Sequence, residues 1–384
     1  MKVLFVSSWF PNRVTPLNGD FVERHALAVS RVCSTAVLHV MPDTKIQGRI
    51  MEIFEIQKNG LFEVLIYIRR LNGRSKFLSG LVNRLLYGLG YFIGYIIVKK
   101  ELGKPDIIHS NIIVPASRVA LMLHRFTGIP YIISEHWTGY LTEEFKKISR
   151  SYYKPVSKAF ALVPVTHSLK DALISFGYNV RFFVVPNVVD TAVFRPASAS
   201  ESAGPKRMVH VSSMKDEHKN ISGIIRAIRM LHEKRNDFVF TFVGNASLQQ
   251  KNLVDEAGLA GCVIFAGEVE HRNVARIMMQ SDFLVMFSNV ENLPCVMLEA
   301  LACGLPLIST RVGGITEWFN EKHGILINRG DEKGLYDGMN YLLDHHNEYD
   351  RDELNAYAKR NFSPEVIASR FLDIYQMALN KRKE

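Results

Sequence analysis

The chain has 384 residues, 47% hydrophobic and 22% charged, which excludes a disordered chain and gives enough length for two domains with full cores, since single cores stop growing near ~250 to 300 residues. The net charge of +9 is unevenly spread: residues 1–200 hold 25 Lys and Arg against 13 Asp and Glu, whereas residues 201–384 hold 22 against 25. The basic first half points to an acidic partner such as anionic lipid headgroups or a phosphate-bearing acceptor, and no binding motif supports nucleic acid.

Short apolar runs alternate with longer helical patterns throughout, which predicts parallel sheets covered by helices. The first half has strand-like runs at 2–8, 35–41, 62–68, 106–110, 131–134, 161–166 and 181–186. The opening run, MKVLFVSSWF, reads as a strand and has no small-residue cleavage site after a long apolar core, so no signal peptide is expected. Residues 74–104 carry apolar pairs at helical spacing, from Phe77/Leu78 to Ile96/Ile97, interrupted by Asn83 and Arg84. That pattern is a poor transmembrane span. It fits a helix packed on the first sheet, or one with a membrane-surface face flanked by basic residues.

FRPASASESAGPKR, residues 194–207, is small, polar and proline-bounded and reads as a linker. Beyond it, strand-like runs recur at 208–213, 238–244, 263–267, 283–288, 306–310 and 324–327. Each half therefore reads as its own doubly wound unit, and two such domains facing each other would form a ligand cleft outside their strand carboxyl ends. Neither half opens with G-x-G-x-x-G after its first strand, which argues against a dehydrogenase.

The stretch SNVENLPCVMLEALACGLPLIST, residues 288–310, carries the chemistry. Pro294 suits a first helical turn and Gly304 with Pro306 reads as the stop, so the helix is predicted over 294–303. Glu291 then lies in the loop at the helix mouth, and Glu299 stands ~7.5 Å past Pro294 along the axis. The unpaired N–H groups of the first turn lie between them. A ligand with hydroxyls at both ends and an anion in the middle matches this layout, as a nucleotide-sugar does. The alternative reading has Glu299 capping a neighbouring group and Glu291 as a solvated loop charge.

Cys33, Cys262, Cys295 and Cys303 stand singly in apolar contexts, fitting buried, reduced thiols in a cytosolic protein rather than disulfides or a zinc site. His345 and His346 are adjacent and make a poor chelate, and Asp350 and Asp352 read as a solvated helical face. No metal site is expected.

In sequence, ENLPCVMLEALACGLPLIST followed by VGGITEW resembles the E-x7-E signature of the family 4 retaining glycosyltransferases. FPNRVTPLNGDFVERHALAVS resembles that family's glycine loop, SEHWTGY a strand end, VVPNVVDTAVFRP the domain junction, HVSSMKDEHKNISGIIRAI the opening of the donor domain and FSPEVIASRFLDIYQMAL the closing helix. The resemblance implies an α/β GT-B fold: two doubly wound Rossmann-like domains facing across a cleft. Residues 1–193 would bind acceptor, joined by a C-terminal helix (364–384) crossing back; 194–207 would link; 208–363 would bind the nucleotide-sugar donor.

The same resemblance assigns roles. Glu299 would accept from ribose hydroxyls and Glu291 from donor-sugar hydroxyls, with backbone N–H groups of Leu293, Cys295 and Val296 near the sugar and diphosphate. Lys219 would neutralise the departing diphosphate, where electrostatic catalysis should act. Val269 would read the base through its backbone, Gly19 would admit the diphosphate to bare backbone, and His136 would line the donor sugar. Where the family often has an arginine before the lysine, this chain has Ser212, Ser213 and Met214, leaving Lys215 as a substitute for that charge. Val188 and Thr316 likewise replace a usual glycine and proline.

The activity implied is metal-independent retaining transfer, from a nucleotide-diphosphate sugar (UDP-sugar favoured) as co-substrate, to a glycan or lipid-linked acceptor in cell-surface polysaccharide biosynthesis. No far-face carboxylate nucleophile is evident, so a front-face route is expected, with the leaving diphosphate helping to deprotonate the acceptor. The expected location is cytoplasmic, with a peripheral place on the inner membrane face. A non-catalytic nucleotide-sugar binder, and a GT-B phosphorylase or epimerase, stand as alternatives.

Overall fold

Runs of Val, Ile, Leu and Phe that a parallel sheet buries on both faces account for most of the strands. The computed structural model describes residues 1–71, 75–142, 144, 148–197 and 204–381. Residues 198–203 of the expected linker, and Arg74 of the expected amphipathic segment, lie outside the described residues. Two units divide the chain: Met1–Val165, Leu169–Asn187 and Pro364–Glu384 form the first, Thr166–Ser168 and Val188–Ser363 the second.

The first unit contains β1 (Lys2–Ser7), β2 (Ser34–Pro42), β3 (Met51–Lys58), β4 (Leu61–Ile68), β5 (Ile107–Asn111), β6 (Tyr131–Glu135) and β7 (Leu162–Pro164). Their order is β3-β4-β2-β1-β5-β6-β7, parallel except for the β3–β4 hairpin. The strand order reverses beside β1, which places the ligand-binding crevice of such a sheet beyond the carboxyl ends of β1 and β5.

Two strand expectations are corrected. β3 was not anticipated, because its exposed run MEIFEIQK carries no continuous apolar signal. The turn that makes it, Asn59–Gly60 with both residues at positive φ (51° and 78°), is a type I′ hairpin signal in plain sight. Conversely, 181–186 does not form a full strand: it meets β7 through the Phe182–Leu162 bridge and the backbone bonds of Phe183 and Val185 N–H to Leu162 and Pro164 O. It follows the three-residue edge strand β7, and Pro186 has no N–H to extend a ladder.

Three helices matter in the first unit. α1 (Asp20–Ser30) follows the loop after β1, and α2 (Lys76–Leu102) is the predicted 74–104 helix. α2 lies on β2 and β4 through Gly90 and Gly94; a Cβ on Gly94 would fall 2.2 Å from Leu38 Cδ1, so any larger residue there requires the Leu38 side chain to shift. Among the described residues α2 is the one helix long and apolar enough to cross a membrane by length and composition.

The second unit stacks β8 (Lys206–Val211), β9 (Phe238–Val243), β10 (Val263–Gly267), β11 (Phe283–Val285), β12 (Leu307–Thr310) and β13 (Gly324–Ile327) in the order β10-β9-β8-β11-β12-β13, all parallel. Phe238, Phe240 and Phe242 pack with Ile224 and Ile228 at its centre. Here the order reverses between β8 and β11. α3 (Asp216–Lys219) is a single turn after β8, and α4 (Cys295–Ala302) follows β11. The last helix, α5 (Pro364–Asn380), returns to the first unit, where it packs on α1 and Tyr375 Oη meets His109 Nδ1 at 2.7 Å.

Cys33, Cys262 and Cys303 are buried free thiols as expected, but Cys295 is half-buried because it opens α4. Asp350 caps a helix N-terminus by accepting from the N–H groups of Asp352 and Glu353. His345 bonds Glu348 and His346 bonds the Leu342 carbonyl. Among the described residues no cluster of three or more His, Cys, Asp or Glu is placed to hold a metal.

Candidate active site

The second unit gathers its polar residues at the reversal point, beyond the ends of β8 and β11. Lys219, last residue of α3, donates to Glu291 Oε1, which Ser288 Oγ also meets at 2.8 Å. The loop and turn are joined through the backbone: Asn289 N–H donates to His218 O at 2.7 Å and Asn289 Nδ2 to Glu217 O at 3.1 Å. Glu291 is buried, so its charge is held by this pair in a poorly solvated place.

Gly313 fixes the other side of that loop. Its φ is +52°, and a Cβ there would lie 1.8 Å from the Glu291 carbonyl oxygen. Gly314 N–H donates to Asn292 O at 3.1 Å, and Asn292 Oδ1 accepts from Thr166 Oγ1 at 2.6 Å.

α4 begins one residue later than expected: Pro294 is its N-cap, with extended backbone, and the helix covers Cys295–Ala302. Leu293 is buried, whereas Cys295 and Val296 are half-exposed in the first turn of α4. Glu299 is buried one turn on and takes a 2.8 Å hydrogen bond from His271 Nε2. Burial, and then the Glu299 charge, pushes the Cys303 thiol up to about 12, leaving it inert. Val269 lies half-exposed in the loop after β10, two residues before His271.

His271 is the neighbour of the candidate site that sequence reading missed. It sits within FAGEVEHR, but nothing in that run marks it as a partner of a glutamate 28 positions away. Ser212, named from sequence only as standing where an arginine is usual, makes contacts that the sequence did not show. Its hydroxyl bonds His210 Nε2 at 2.8 Å and accepts from Met214 N–H at 2.9 Å, so hydrogen bonding shapes the loop where the resembled family often has arginine. His210, whose Nδ1 bonds Val285 O at 2.8 Å, is lowered to about 4 by burial first, with Lys219 also disfavouring its charge. Lys215 is the exposed N-cap of α3.

In the first unit, Gly19 is the left-handed N-cap of α1, at φ +81°. A Cβ there would stand 2.4 Å from the Trp9 carbonyl carbon, so the loop after β1 closes only with glycine. His136, after β6, faces Phe21 at a centroid distance of 4.5 Å, and its Nδ1 lies 3.1 Å from Asn187 Oδ1. With that oxygen accepting, Nδ1 carries the proton. Burial, with His25 beside it, holds His136 well below the usual histidine range, so its ring is neutral.

Glu135 positions the His136 backbone. Its carboxylate accepts from the N–H groups of Ile113, His136 and Trp137 at 2.8, 2.8 and 2.9 Å. Burial raises it to about 7, although those three bonds oppose the rise.

A GT-B enzyme is the class that these two Rossmann-like sheets and this carboxylate arrangement define. Residues 61–193 match the family model described as Glycosyltransferase Family 4, and residues 196–361 match that described as Glycosyl transferases group 1. The chain belongs to the group 1/family 4 glycosyltransferases, retaining enzymes of the GT-B fold.

Similar sequences include TuaC of Bacillus subtilis, a candidate teichuronic acid biosynthesis glycosyltransferase, 22% identical with 88% of each chain covered. The N-acetyl-alpha-D-glucosaminyl L-malate synthase of Bacillus anthracis is 25% identical over 72% of this chain and 76% of its own. Among solved structures, a sucrose-phosphate synthase from Thermosynechococcus elongatus superimposes with a TM-score of 0.75 at 16% identity, covering 99% of this chain and 100% of that one. Anabaena Alr3699/HepE in complex with UDP and glucose does so with a TM-score of 0.71 at 16% identity, covering 98% and 100%.

Proposed function

We propose that this enzyme transfers a sugar, with retention, from a UDP-sugar to a glycan or lipid-linked acceptor in cell-surface polysaccharide synthesis. The observation that carries the reading is the Lys219–Glu291 pair at the mouth of α4, with Glu299 buried one helical turn away. The names of similar proteins in teichuronic acid and amylovoran biosynthesis, and the UDP held by a structural neighbour, support it.

Within the second unit the donor occupies the α4 mouth. Glu299 accepts from the ribose hydroxyls, and the Val269 backbone meets the base. The N–H groups of Leu293, Cys295 and Val296 face sugar and diphosphate, and Glu291 accepts from sugar hydroxyls. Lys219 leaves Glu291 in part to meet the diphosphate as its charge grows, with Lys215 as an auxiliary cation. The leaving diphosphate helps to deprotonate the acceptor on the same face. In the first unit, which takes the acceptor, Gly19 offers bare backbone for a phosphate and His136 a neutral ring for a sugar hydroxyl. The reduced cysteines fit a cytoplasmic place of work.

Thermal shift with UDP-, GDP- and ADP-sugars tests the reading, because a ligand of the native state raises stability with occupancy. A UDP-sugar is expected to give the largest rise. No rise with any of the three would overturn the donor assignment, and a larger rise with GDP- or ADP-sugars would replace the base.

A further inference from the structure

α2 carries a continuous apolar row that the fold leaves uncovered. Phe77, Leu81, Leu85, Leu89, Phe92 and Ile96 are all exposed, Phe77 by 79% and Leu85 by 65%. At 100° per residue these six fall within about 120° of the helix circumference and run for roughly 28 Å. Gly90, Gly94 and Val98, by contrast, are buried against the sheet side. The helix therefore has one face committed to β2 and β4 and another left exposed among the described residues.

Charge decides what fits that second face. Between residues 76 and 100 there is no acidic side chain, while Lys76 and Arg84 lie toward one end of the row and Lys99 and Lys100 toward the other. Arg69 and Arg70, also exposed, precede the helix. A second copy packed row to row would set cations against cations in either direction, with only Glu101 to offset them. An anionic lipid surface accepts both features: headgroup charge pairs with the lysines and arginines, and the acyl boundary takes the apolar row. Crossing the bilayer is ruled out by the buried glycine face, since lipid could surround α2 only if it left β2 and β4.

We propose that α2 lies in the plane of an anionic bilayer, with the Phe77–Ile96 row seated at the acyl boundary, and that this face docks the first unit on the membrane. The inference rests on the surface of α2 and stands apart from the donor reading. So seated, the first unit would meet an acceptor carried by the same bilayer.

Flotation of the full chain with phosphatidylcholine vesicles, and with vesicles of equal parts phosphatidylcholine and phosphatidylglycerol, measures the association. Binding to the anionic vesicles is expected to exceed that to neutral ones by at least about tenfold at ~50 mM salt, and to weaken at ~500 mM. Phe77→Glu/Leu81→Glu/Leu85→Glu, all exposed positions, should bring it to the neutral-vesicle level with circular dichroism and Tm retained. If that variant misfolds, Lys76→Glu/Arg84→Glu should weaken binding and flatten its salt dependence. Equal partitioning into both vesicles, absence of binding at low salt, or unchanged binding by the folded variants would overturn the proposal. So would a dimer, found by light scattering and lost in the glutamate variant, in a chain that binds no vesicle.

Discussion

Gly313 stands against the backbone of Glu291 so closely that its missing Cβ would lie 1.8 Å from the Glu291 carbonyl oxygen. The turn after β12 thus sets the position of the loop after β11, and with it the carboxylate that Lys219 holds. Gly313→Ala should displace this loop and lower kcat/KM by more than about tenfold, a loss of ~1.4 kcal/mol or more in transition-state stabilisation. Gly330→Ala is the control: its φ is also positive, at +76°, but open space surrounds it. That variant should lose ~1 to 2 kcal/mol of stability and keep its activity. Equal activity in the two variants would show that the Gly313 contact does not position Glu291.

Glu299→Ala should weaken nucleoside diphosphate binding by about 10- to 150-fold, corresponding to a charge-assisted hydrogen bond of ~1.5 to 3 kcal/mol. His271→Gln, which keeps a polar partner near the carboxylate, should cost less. Calorimetric titration of UDP into both variants separates the cases. Affinity unchanged in Glu299→Ala removes that residue from the donor site.

Lys219→Ala should lower kcat by about 10²- to 10³-fold while changing KM less, because the diphosphate gains charge as the glycosidic bond breaks. Steady-state kinetics against donor concentration supplies the comparison. An effect confined to KM would make Lys219 a ground-state binding group and leave transition-state charge to other residues.

The buried histidines predict how stability depends on pH. His25, His39, His210 and His323 are each lowered to about 4, all by burial first, and so stay neutral in the fold while the unfolded chain titrates near ~6.5. Between those values the unfolded state binds more protons, so their contribution is complete above ~6.5 and is lost as pH falls toward 4. Each costs up to ~1.4 kcal/mol per pH unit in that window. Glu63 and Glu135 act in the opposite sense. Burial raises both to about 7, so between ~4.5 and 7 their protonation favours the fold in acid. Four histidines outweigh two glutamates, and urea midpoints should fall steadily from pH 6.5 to pH 5. A midpoint that holds or rises over that interval would contradict the balance.

Much of the architecture lies in local pattern. Buried parallel strands must be apolar throughout, so β1, β2, β4 and the strands of the second unit stand out as runs, and Pro294 and Gly304 bracket α4 by backbone chemistry alone. The place of Glu299 along α4 follows from that same stretch, because helix rise fixes its distance from Pro294, whereas Glu291 lies in the loop before the helix and is placed by contacts from elsewhere. Asn59–Gly60 was equally local and could have announced β3. What tertiary structure decided is pairing across distance. Lys219 reaches Glu291 over 72 positions and Tyr375 reaches His109 over 266. His271 has no local mark as the partner of Glu299, and the run at 181–186 fails to become a strand because only a three-residue edge is there to receive it. Hydrophobic periodicity and backbone preference act between near neighbours and can be read along a chain. A hydrogen bond or ion pair depends on which strand ends the sheet order brings together, and that order is a property of the whole packed unit.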